Sequence, residues 1–182
     1  MTKENQMNIT SRKGLGKLFQ HHFLTGKGVE VGVEQGLNAD NILNYWKGKI
    51  WLIDIWENPN FLFDCMNLHR DNKNVSFIRD KSTIAASNFV DNSLDFIYID
   101  DDHSYNGIKS SFDAWFPKVR SGGIVSGHDY GENDCIGVKQ FIDEYIKLHP
   151  EIEVNFTTDD FYVGERKDLQ GLEYQTWWFI KK

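Results

Sequence analysis

Two short stretches of the sequence concentrate acidic side chains and histidines. Asp100 and His103 follow one apolar run, and His128 and Asp129 follow another. Crowded carboxylates raise one another's pKa unless a cation shares their site, and oxygen ligands with an occasional imidazole suit Mg²⁺ or a similar divalent cation. A histidine can instead accept the proton of a hydroxyl group near neutral pH. The two stretches predict acid–base or metal chemistry, with Asp100, His128 and Asp129 as candidate metal ligands.

Three further acidic residues, Glu30, Asp54 and Asp80, lie within or directly after short apolar runs in the first half of the chain. If these runs are parallel strands, their carboxyl ends meet at one edge of a sheet, where ligands bind. An acid after the second strand conventionally accepts hydrogen bonds from ribose hydroxyls, and one after the third could bind an adenine amino group. The acids therefore predict a nucleoside site, in which Trp56 could stack on the base.

The loop that follows Glu30 contains Gly32 and Gly36, and glycine lets the backbone approach a ligand closely. A dinucleotide-binding loop of the form G-x-G-x-x-G would also need glycine at position 34, where the chain has Glu34. A carboxylate there would repel a phosphate group. The loop is thus a poor cradle for pyrophosphate, and Glu30 is better suited to a cationic ligand.

Apolar periodicity indicates that strands and helices alternate along most of the chain. Strands are predicted at 29–33, 49–54, 75–79, 95–100 and 124–126, and helices at 12–23, 38–46, 60–70, 82–89, 104–119 and 135–148. This order predicts an α/β fold with a doubly wound, mostly parallel seven-stranded sheet and helices on both faces. The last apolar stretches, at 151–156, 161–163 and 174–180, have no helix between them. They predict an antiparallel hairpin strand at the C-terminal end of the sheet.

The composition limits the class of protein. A chain of 182 residues favours a single domain, 1–182, with a disordered segment at 1–10 and an N-terminal helix at 11–25. The formal net charge of −7 argues against a partner that is a nucleic acid or an anionic membrane surface. No apolar run approaches the length of a membrane span, and the two cysteines form no disulfide framework, so a cytoplasmic location is expected.

The first group of motifs resembles the S-adenosyl-L-methionine site of class I methyltransferases. The matching residues are Glu30-x-Gly32-x-x-x-Gly36, Asp54 at the end of the second strand, and Asp80-Lys81-Ser82 after the third. The resemblance implies a Rossmann-like methyltransferase fold in which the glycine loop lies under the methionine part, Asp54 holds the ribose and 80–82 meets the adenine. The sulfonium group of this cofactor is a cation, which suits an acidic site.

The second group resembles a subgroup with D-x-x-x-I-D-G-x-H-x-Y on strand four and G-G-x-x-x-x-H-D on strand five, akin to small O-methyltransferases of the macrocin and catechol types. The resemblance extends over about 28–147 and implies that Asp100 is the strand-four metal ligand and also contacts the cofactor. His128 and Asp129 match the strand-five pair, although His128 replaces an acid of the better-defined metal enzymes. Asp101 stands where the subgroup usually has glycine, and aspartate tolerates a left-handed backbone better than most residues.

The predicted activity is therefore methyl transfer to a hydroxyl group of a small molecule, such as a sugar or a natural product. Asp100, His103 and His128 are the candidate catalytic residues: either a metal acidifies the hydroxyl group, or a histidine acts as the general base. A homodimer is expected. The alternatives are a metal-dependent hydrolase that uses His128 and Asp129, a nicotinamide dehydrogenase, which Glu34 disfavours, and a catalytically inactive cofactor-binding domain.

Overall fold

The computed structural model describes residues 7–22, 26–131, 135–160 and 174–182. The strands are β1 (Lys27–Val31), β2 (Lys49–Asp54), β3 (Val75–Arg79), β4 (Leu94–Ile99), β5 (Val119–Tyr130), β6 (Asn155–Phe156) and β7 (Gln175–Ile180). The α-helices are α1 (Leu15–His22), α2 (Leu37–Leu43), α3 (Pro59–His69), α4 (Ser82–Ala85), α5 (Tyr105–Trp115) and α6 (Ile136–Leu148). The predicted alternation of strands and helices is confirmed.

Within these residues, seven strands form one sheet in the order β3-β2-β1-β4-β5-β7-β6. β1 to β5 are parallel to one another, whereas β7 is antiparallel to both β5 and β6. The direction of winding therefore reverses between β1 and β4. The hydrogen bonds continue past the strand ends there, because Gly32 N donates to Ile53 O and Asp100 N donates to Val31 O, each at 3.0 Å. The carboxyl ends of the central strands are thus held in fixed register.

Each face of the sheet is covered by a separate apolar cluster. One cluster contains Phe19 and Phe96, whose rings stack with centroids 3.8 Å apart. The other contains Phe112 and Trp115 of α5. Full burial of each such side chain contributes about 2–3 kcal/mol to folding, so both faces of the sheet are firmly anchored. Helices on both faces, as predicted, make this a doubly wound sheet.

The C-terminal strand β7 connects the two clusters. Trp177 and Trp178 are adjacent and nearly unexposed, and because side chains alternate along a strand they enter opposite clusters. The indole Nε1 of Trp177 also donates to the backbone oxygen of His128 at 3.2 Å. The predicted antiparallel closing strand is confirmed, while the predicted strand at 161–163 lies outside the described residues.

The region between α5 and β5 differs from the prediction. The helix expected at 104–119 ends at Trp115 and is followed by a 3₁₀ turn, Phe116–Lys118, which contains a proline. β5 begins at Val119 rather than near 124, so Gly122 and the following glycine lie within the strand instead of ending a helix. Proline cannot donate the backbone hydrogen bond that a longer helix needs, which accounts for the early end.

The N-terminal segment is more ordered than predicted where it is described. Ile9 is buried, and Thr10 O accepts hydrogen bonds from the backbone N–H groups of Thr158 and Asp159. The prediction of disorder is therefore wrong for residues 7–10, because they pack on the fold, and 1–6 lie outside the described residues. The helix predicted at 11–25 is a 3₁₀ turn, Arg12–Gly14, followed by α1, and 23–25 lie outside the described residues.

No helix in the described ranges is both long enough and apolar enough to cross a membrane.

Candidate functional site

The carboxyl ends of the parallel strands open on a cleft of about 1300 Å³. The predicted site residues that line it are Glu30, Gly32, Asp54, Trp56, Asp80, Lys81, Ser82, Asp100, His103, His128 and Asp129. The structure thus brings together at one sheet edge all of the predicted site residues except Gly36.

The two glycines of the loop after β1, Gly32 and Gly36, have different structural roles. Gly32 has φ +77°, and a Cβ atom there would lie 1.8 Å from the backbone oxygen of Asp100, so only glycine lets the chain after β1 pass so close to the chain after β4. Gly36 has φ +81°, precedes α2 and faces Cys65 and His69. Gly36 does not line the cleft and serves the start of α2, and its contact with the cofactor stays a prediction.

Asp54 holds two loops in an unfavourable backbone conformation. Its Oδ2 accepts a hydrogen bond from Glu34 N at 2.9 Å, and its Oδ1 accepts one from Trp56 N at 2.6 Å. Both donors are left-handed, with φ 48° at Glu34 and 42° at Trp56. Such a backbone costs a non-glycine residue roughly 1–2 kcal/mol, which these hydrogen bonds offset. Since a carboxylate has about four acceptor sites, Asp54 can still accept from a ligand hydroxyl.

Trp56 is a core residue. It is only 1% exposed, its ring packs in the same cluster as Phe77, and its Nε1 donates to Glu34 O at 2.8 Å. Trp56 lines the cleft, but little of its ring is exposed to it. That it stacks on an adenine stays a prediction.

The segment after β3 is partly used within the protein. Asp80 Oδ1 accepts from Lys81 N at 2.7 Å. The Ser82 hydroxyl accepts from Trp115 Nε1 at 3.0 Å and lies 3.1 Å from the hydroxyl of Ser111. Asp80 keeps one carboxylate oxygen that makes no hydrogen bond to a described residue, so of the two side chains it is better placed to meet a ligand.

Asp101 takes a different role from the glycine it replaces. It is absent from the described residues with positive φ, so this position does not require a left-handed backbone. Its Oδ2 instead accepts a hydrogen bond from the Ser111 hydroxyl at 2.6 Å. The extra carboxylate therefore links the end of β4 to α5.

Glu30 is a buried acid with spare acceptor capacity. It is 1% exposed, and its Oε1 accepts from Asn38 Nδ2 at 3.2 Å. Its Oε2 has no hydrogen-bond partner among the described residues. Burial raises the pKa of Glu30 to about 8. A cationic ligand group at this position would stabilise the ionised form.

The predicted acid–histidine cluster forms a connected network. Asp129 bridges both histidines, with its Oδ2 2.9 Å from His103 Nε2 and its Oδ1 3.1 Å from His128 Nδ1. Asp100 Oδ1 lies further away, 3.7 Å from His103 Nε2 and 3.9 Å from His128 Nδ1. Asp129 also adopts a left-handed backbone, with φ 61°. Strand ends separated by 28 residues thus place two acids and two imidazoles within direct reach.

The network separates the proton affinities of its members. Burial, followed by the charge of Asp129, raises the pKa of Asp100. Burial acts in the same direction on Asp129, but hydrogen bonds with His103 and His128 outweigh it and hold the pKa of Asp129 well below its usual range. Hydrogen bonds with Asp100, Asp129 and Cys135 place the pKa of His103 far above its usual range. For His128, burial lowers the pKa, but the carboxylates Asp100 and Asp129 outweigh it and raise the net value.

The structure also brings residues to the cleft that the sequence did not suggest. Cys135 Sγ lies 3.4 Å from His103 Nδ1, so both ring nitrogens of that histidine are engaged. Arg12 lines the cleft, and its backbone N donates to both carboxylate oxygens of Asp160 at 2.9 Å. The proximity of Cys135 to the histidine motif could have been inferred from α6 following β5. No local sequence pattern indicates the contact between Arg12 and Asp160, which are 148 residues apart.

The chain matches a family of sequences described as a methyltransferase domain over residues 29–130. This match covers more than half of the chain, so the protein belongs to this methyltransferase family. The prediction of a methyltransferase is confirmed by this match. The family match favours this class over the hydrolase and dehydrogenase alternatives.

Individual relatives are distant. Protein y4gI of Sinorhizobium fredii (strain NBRC 101917 / NGR234), described as uncharacterized, is 29% identical over 76 residues, which are 41% of this chain and 8% of that protein. The chain therefore spans less than a tenth of this relative.

Solved structures share the fold. A protein of Corynebacterium glutamicum has a TM-score of 0.70 at 17% identity, over 93% of this chain and 79% of that one. An O-methyltransferase of Bacillus cereus in complex with SAH (S-adenosylhomocysteine) has a TM-score of 0.67 at 20% identity, over 98% of this chain and 84% of that one. An rRNA methylase of Streptococcus thermophilus has a TM-score of 0.67 at 11% identity, over 97% of this chain and 98% of that one. At these identities the likeness establishes the Rossmann-like methyltransferase fold.

Proposed function

We propose that the protein transfers the methyl group of S-adenosylmethionine to a hydroxyl group of a small molecule. The observation that carries this proposal is the acidic cleft, in which Glu30, Asp54 and Asp80 lie at the ends of three strands and the histidine–aspartate network lies at the ends of the next two. The first set suits a cationic nucleoside, and the second suits removal of a proton.

The residues at the ends of β1 to β3 fit the donor. The free Oε2 of Glu30 is buried and lacks a partner among the described residues, which suits a cationic group of the ligand. We assign Asp54 to a ribose hydroxyl, which an acid after the second strand conventionally accepts, and Asp80 to the adenine amino group. When bound, S-adenosylmethionine supplies an electrophilic methyl group, and the cleft aligns the acceptor oxygen with it.

His128 is the better candidate for the general base. Its contacts with the described residues are made through Nδ1, which faces Asp129 and Asp100, and this leaves Nε2 available to take a proton. An aspartate at Nδ1 fixes the ring and stabilises the imidazolium form, as in other histidine–aspartate pairs. His103 is bound at both ring nitrogens and is therefore assigned to positioning Asp129.

A divalent cation is a second route for activating the hydroxyl. Asp100, His128 and Asp129 offer two carboxylates and an imidazole whose ligand atoms lie within 4.8 Å of one another, and this donor set fits Mg²⁺ or Mn²⁺. An ion held by these residues would lower the pKa of an acceptor hydroxyl group.

The acceptor is expected to be neutral or cationic, because carboxylates dominate the charged groups of the cleft. A sugar or natural-product hydroxyl fits this requirement better than a phosphorylated compound does.

The experiment begins with calorimetric titration of the protein with SAH and, separately, with NAD. Binding of SAH but not of NAD is expected, and the reverse would contradict the proposal. Hydroxylated small molecules are then screened for uptake of a labelled methyl group, with Mg²⁺ or with a chelator.

The variant His128→Gln should lower turnover about 10²- to 10⁴-fold, as expected for loss of a general base, while SAH affinity changes little. His149→Gln, outside the cleft, is the matched control and should retain full turnover. Because His128 is also a candidate metal ligand, the chelator separates the two routes: wild-type turnover that disappears with the chelator and returns with Mg²⁺ would assign the activation to the metal, and turnover unchanged by the chelator would assign it to His128 as the base. If no acceptor is methylated by a protein that binds SAH, the domain binds the cofactor without catalysis.

A further inference from the structure

The charges of the cleft leave one group of the donor without an evident partner. At neutral pH, S-adenosylmethionine carries a sulfonium, an ammonium and a carboxylate group. The acidic lining suits the two cations, but a carboxylate in an acidic cleft needs a cationic partner. We propose that Arg12 binds this carboxylate. The inference rests on the proposed function and adds a specificity-determining residue to it.

Among the described residues that line the cleft, the other cationic candidates are already engaged or badly placed. His103 and His128 are both bound to Asp129. Lys81 follows β3, which β2 separates from β1, and two strand spacings amount to about 10 Å. Lys81 therefore lies at the end of the cleft assigned to the adenine. Arg12 remains as the cation that can reach the amino-acid end.

The backbone of Arg12 is fixed in place over the cleft. Its N–H group donates to both carboxylate oxygens of Asp160, and Asp160 Oδ2 also accepts from Thr157 Oγ1 at 2.6 Å. Thr157 is fully buried, so the acceptor that holds Arg12 is itself anchored. The backbone N–H group therefore holds Arg12 in position, and its side chain is not needed for this contact.

The guanidinium group of Arg12 is available to a ligand. The residue is exposed and lines the cleft, and the group makes no hydrogen bond or ion pair with any residue that the structure describes. Burial lowers its pKa, but Tyr98, Asp100 and Asp160 outweigh this and raise it, which places the group within electrostatic range of the end of β4. Its planar fork of N–H donors matches a carboxylate in a bidentate arrangement, which a lysine cannot reproduce.

The test compares two ligands that differ only in the carboxylate: SAH and its decarboxylated analogue, S-adenosyl-3-thiopropylamine. Calorimetry on Arg12→Ala should show SAH affinity reduced about tenfold to thirtyfold, the effect of one charge-assisted hydrogen-bonded pair in an open cleft. Affinity for the decarboxylated analogue should remain within about twofold of the wild-type value. Arg12→Lys should lie between wild type and Arg12→Ala.

Lys13→Ala is the matched control, because Lys13 is exposed in the same 3₁₀ turn and does not line the cleft. It should bind both ligands as the wild type does. Equal losses for the two ligands in Arg12→Ala would show that Arg12 only supports the fold, and an unchanged SAH affinity would refute the contact. A wild-type protein that binds neither ligand would contradict the proposed function itself, a result distinct from both.

Discussion

Acidic side chains at the ends of β1, β2 and β3 meet backbone N–H groups or an amide, whereas those at the ends of β4 and β5 meet imidazoles. Asp54 accepts from Glu34 N and Trp56 N, and Glu30 accepts from Asn38. Asp129, in contrast, contacts both His103 and His128. Among the described residues, the carboxylates in the first half of the cleft therefore form no ion pair with a protein cation, whereas those in the second half pair with histidines of the protein.

Acidic residues therefore serve two different functions in the cleft, which the sequence alone does not distinguish. Carboxylates held by uncharged donors can pair with a cationic group of a ligand, so the β1–β3 half is suited to binding a cation. Carboxylates paired with histidines set proton affinities, so the β4–β5 half is suited to acid–base chemistry. Backbone substitutions should lower stability and cofactor affinity most in the first half, and the pH dependence of stability should be largest in the second.

The largest effect is expected at Gly32. In Gly32→Ala, the new Cβ atom would lie 1.8 Å from Asp100 O, and the backbone would remain at φ +77°. We expect a loss of about 3 kcal/mol or more in the free energy of unfolding and a drop in SAH affinity of more than about a hundredfold. Denaturant unfolding and calorimetric titration measure the two effects.

Gly122→Ala separates the steric clash from backbone strain. Gly122 has a similar φ of +76°, but the nearest atom to its added Cβ is Arg120 Nη1 at 3.3 Å. This variant should lose about 1 kcal/mol of stability and keep its affinity for SAH. Equal behaviour of the two variants would mean that Gly32 matters only for its backbone conformation.

The next effect concerns Asp129→Asn, which removes the charge that both histidines share. We expect a loss of about 2 kcal/mol in stability, because Asp129 is buried and accepts hydrogen bonds from two rings. The pKa of His103 and that of His128 should both fall toward the ordinary value. Two-dimensional NMR titration of the histidine ring protons follows each pKa separately.

The pH dependence of this stability difference has a definite sign. The pKa of Asp129 is depressed, so its contribution is present above about pH 4 and is lost as the pH falls toward its folded value. The pKa of His103 is raised, so its contribution is complete below about pH 6.5 and is lost as the pH rises toward its folded value. The free energy of unfolding of the wild type should exceed that of Asp129→Asn by the largest amount between about pH 4 and about pH 6.5. A difference that does not depend on pH would contradict the pairing of Asp129 with the histidines.

A smaller effect is expected at Glu30. Because burial raises its pKa to about 8, the free protein carries a proton there at neutral pH, and a cationic ligand must displace it. The affinity for SAH should rise as the pH increases to about 8 and then level off. Glu30→Gln should abolish this dependence and weaken binding about tenfold at pH 8.5. The exposed Asp71 supplies the control, since Asp71→Asn should preserve the pH dependence seen by calorimetry.

The smallest effect is expected at Glu34, whose φ of 48° is unfavourable for a residue with a side chain. In Glu34→Gly, relief of the left-handed strain outweighs the added flexibility of the unfolded chain, so stability should increase by about 0.5 kcal/mol. Glu34→Gln removes the charge but not the strain and should unfold as the wild type does. A gain in both variants would assign the effect to charge instead of to the backbone.

The sequence was sufficient to predict the convergence of the acids and histidines. Alternating apolar runs define parallel strands, and parallel strands present their carboxyl ends at one edge. The predicted bounds of β2 and β3 agree with the observed ones. Asp100 and His128 belong to different strands of this sheet, so their proximity follows from topology alone.

The roles of individual loop residues could not be predicted in the same way. The burial of Trp56 depends on the hydrogen bond that Asp54 accepts from its backbone, and this depends on the positions of two loops. The place of Arg12 depends on Asp160, near the opposite end of the described chain. Such contacts arise only after the sheet has formed, and periodicity carries no information about them.

The left-handed backbone at Asp129 restricts which amino acids evolution or a mutant library can place at that position. Asparagine, aspartate and glycine tolerate φ 61°, whereas glutamate, which would preserve the charge, tolerates it poorly. Selection for folded variants from a saturation library at position 129 should therefore enrich asparagine and glycine over glutamate. At this position, the backbone conformation limits which amino acids are tolerated, whatever the chemistry of their side chains.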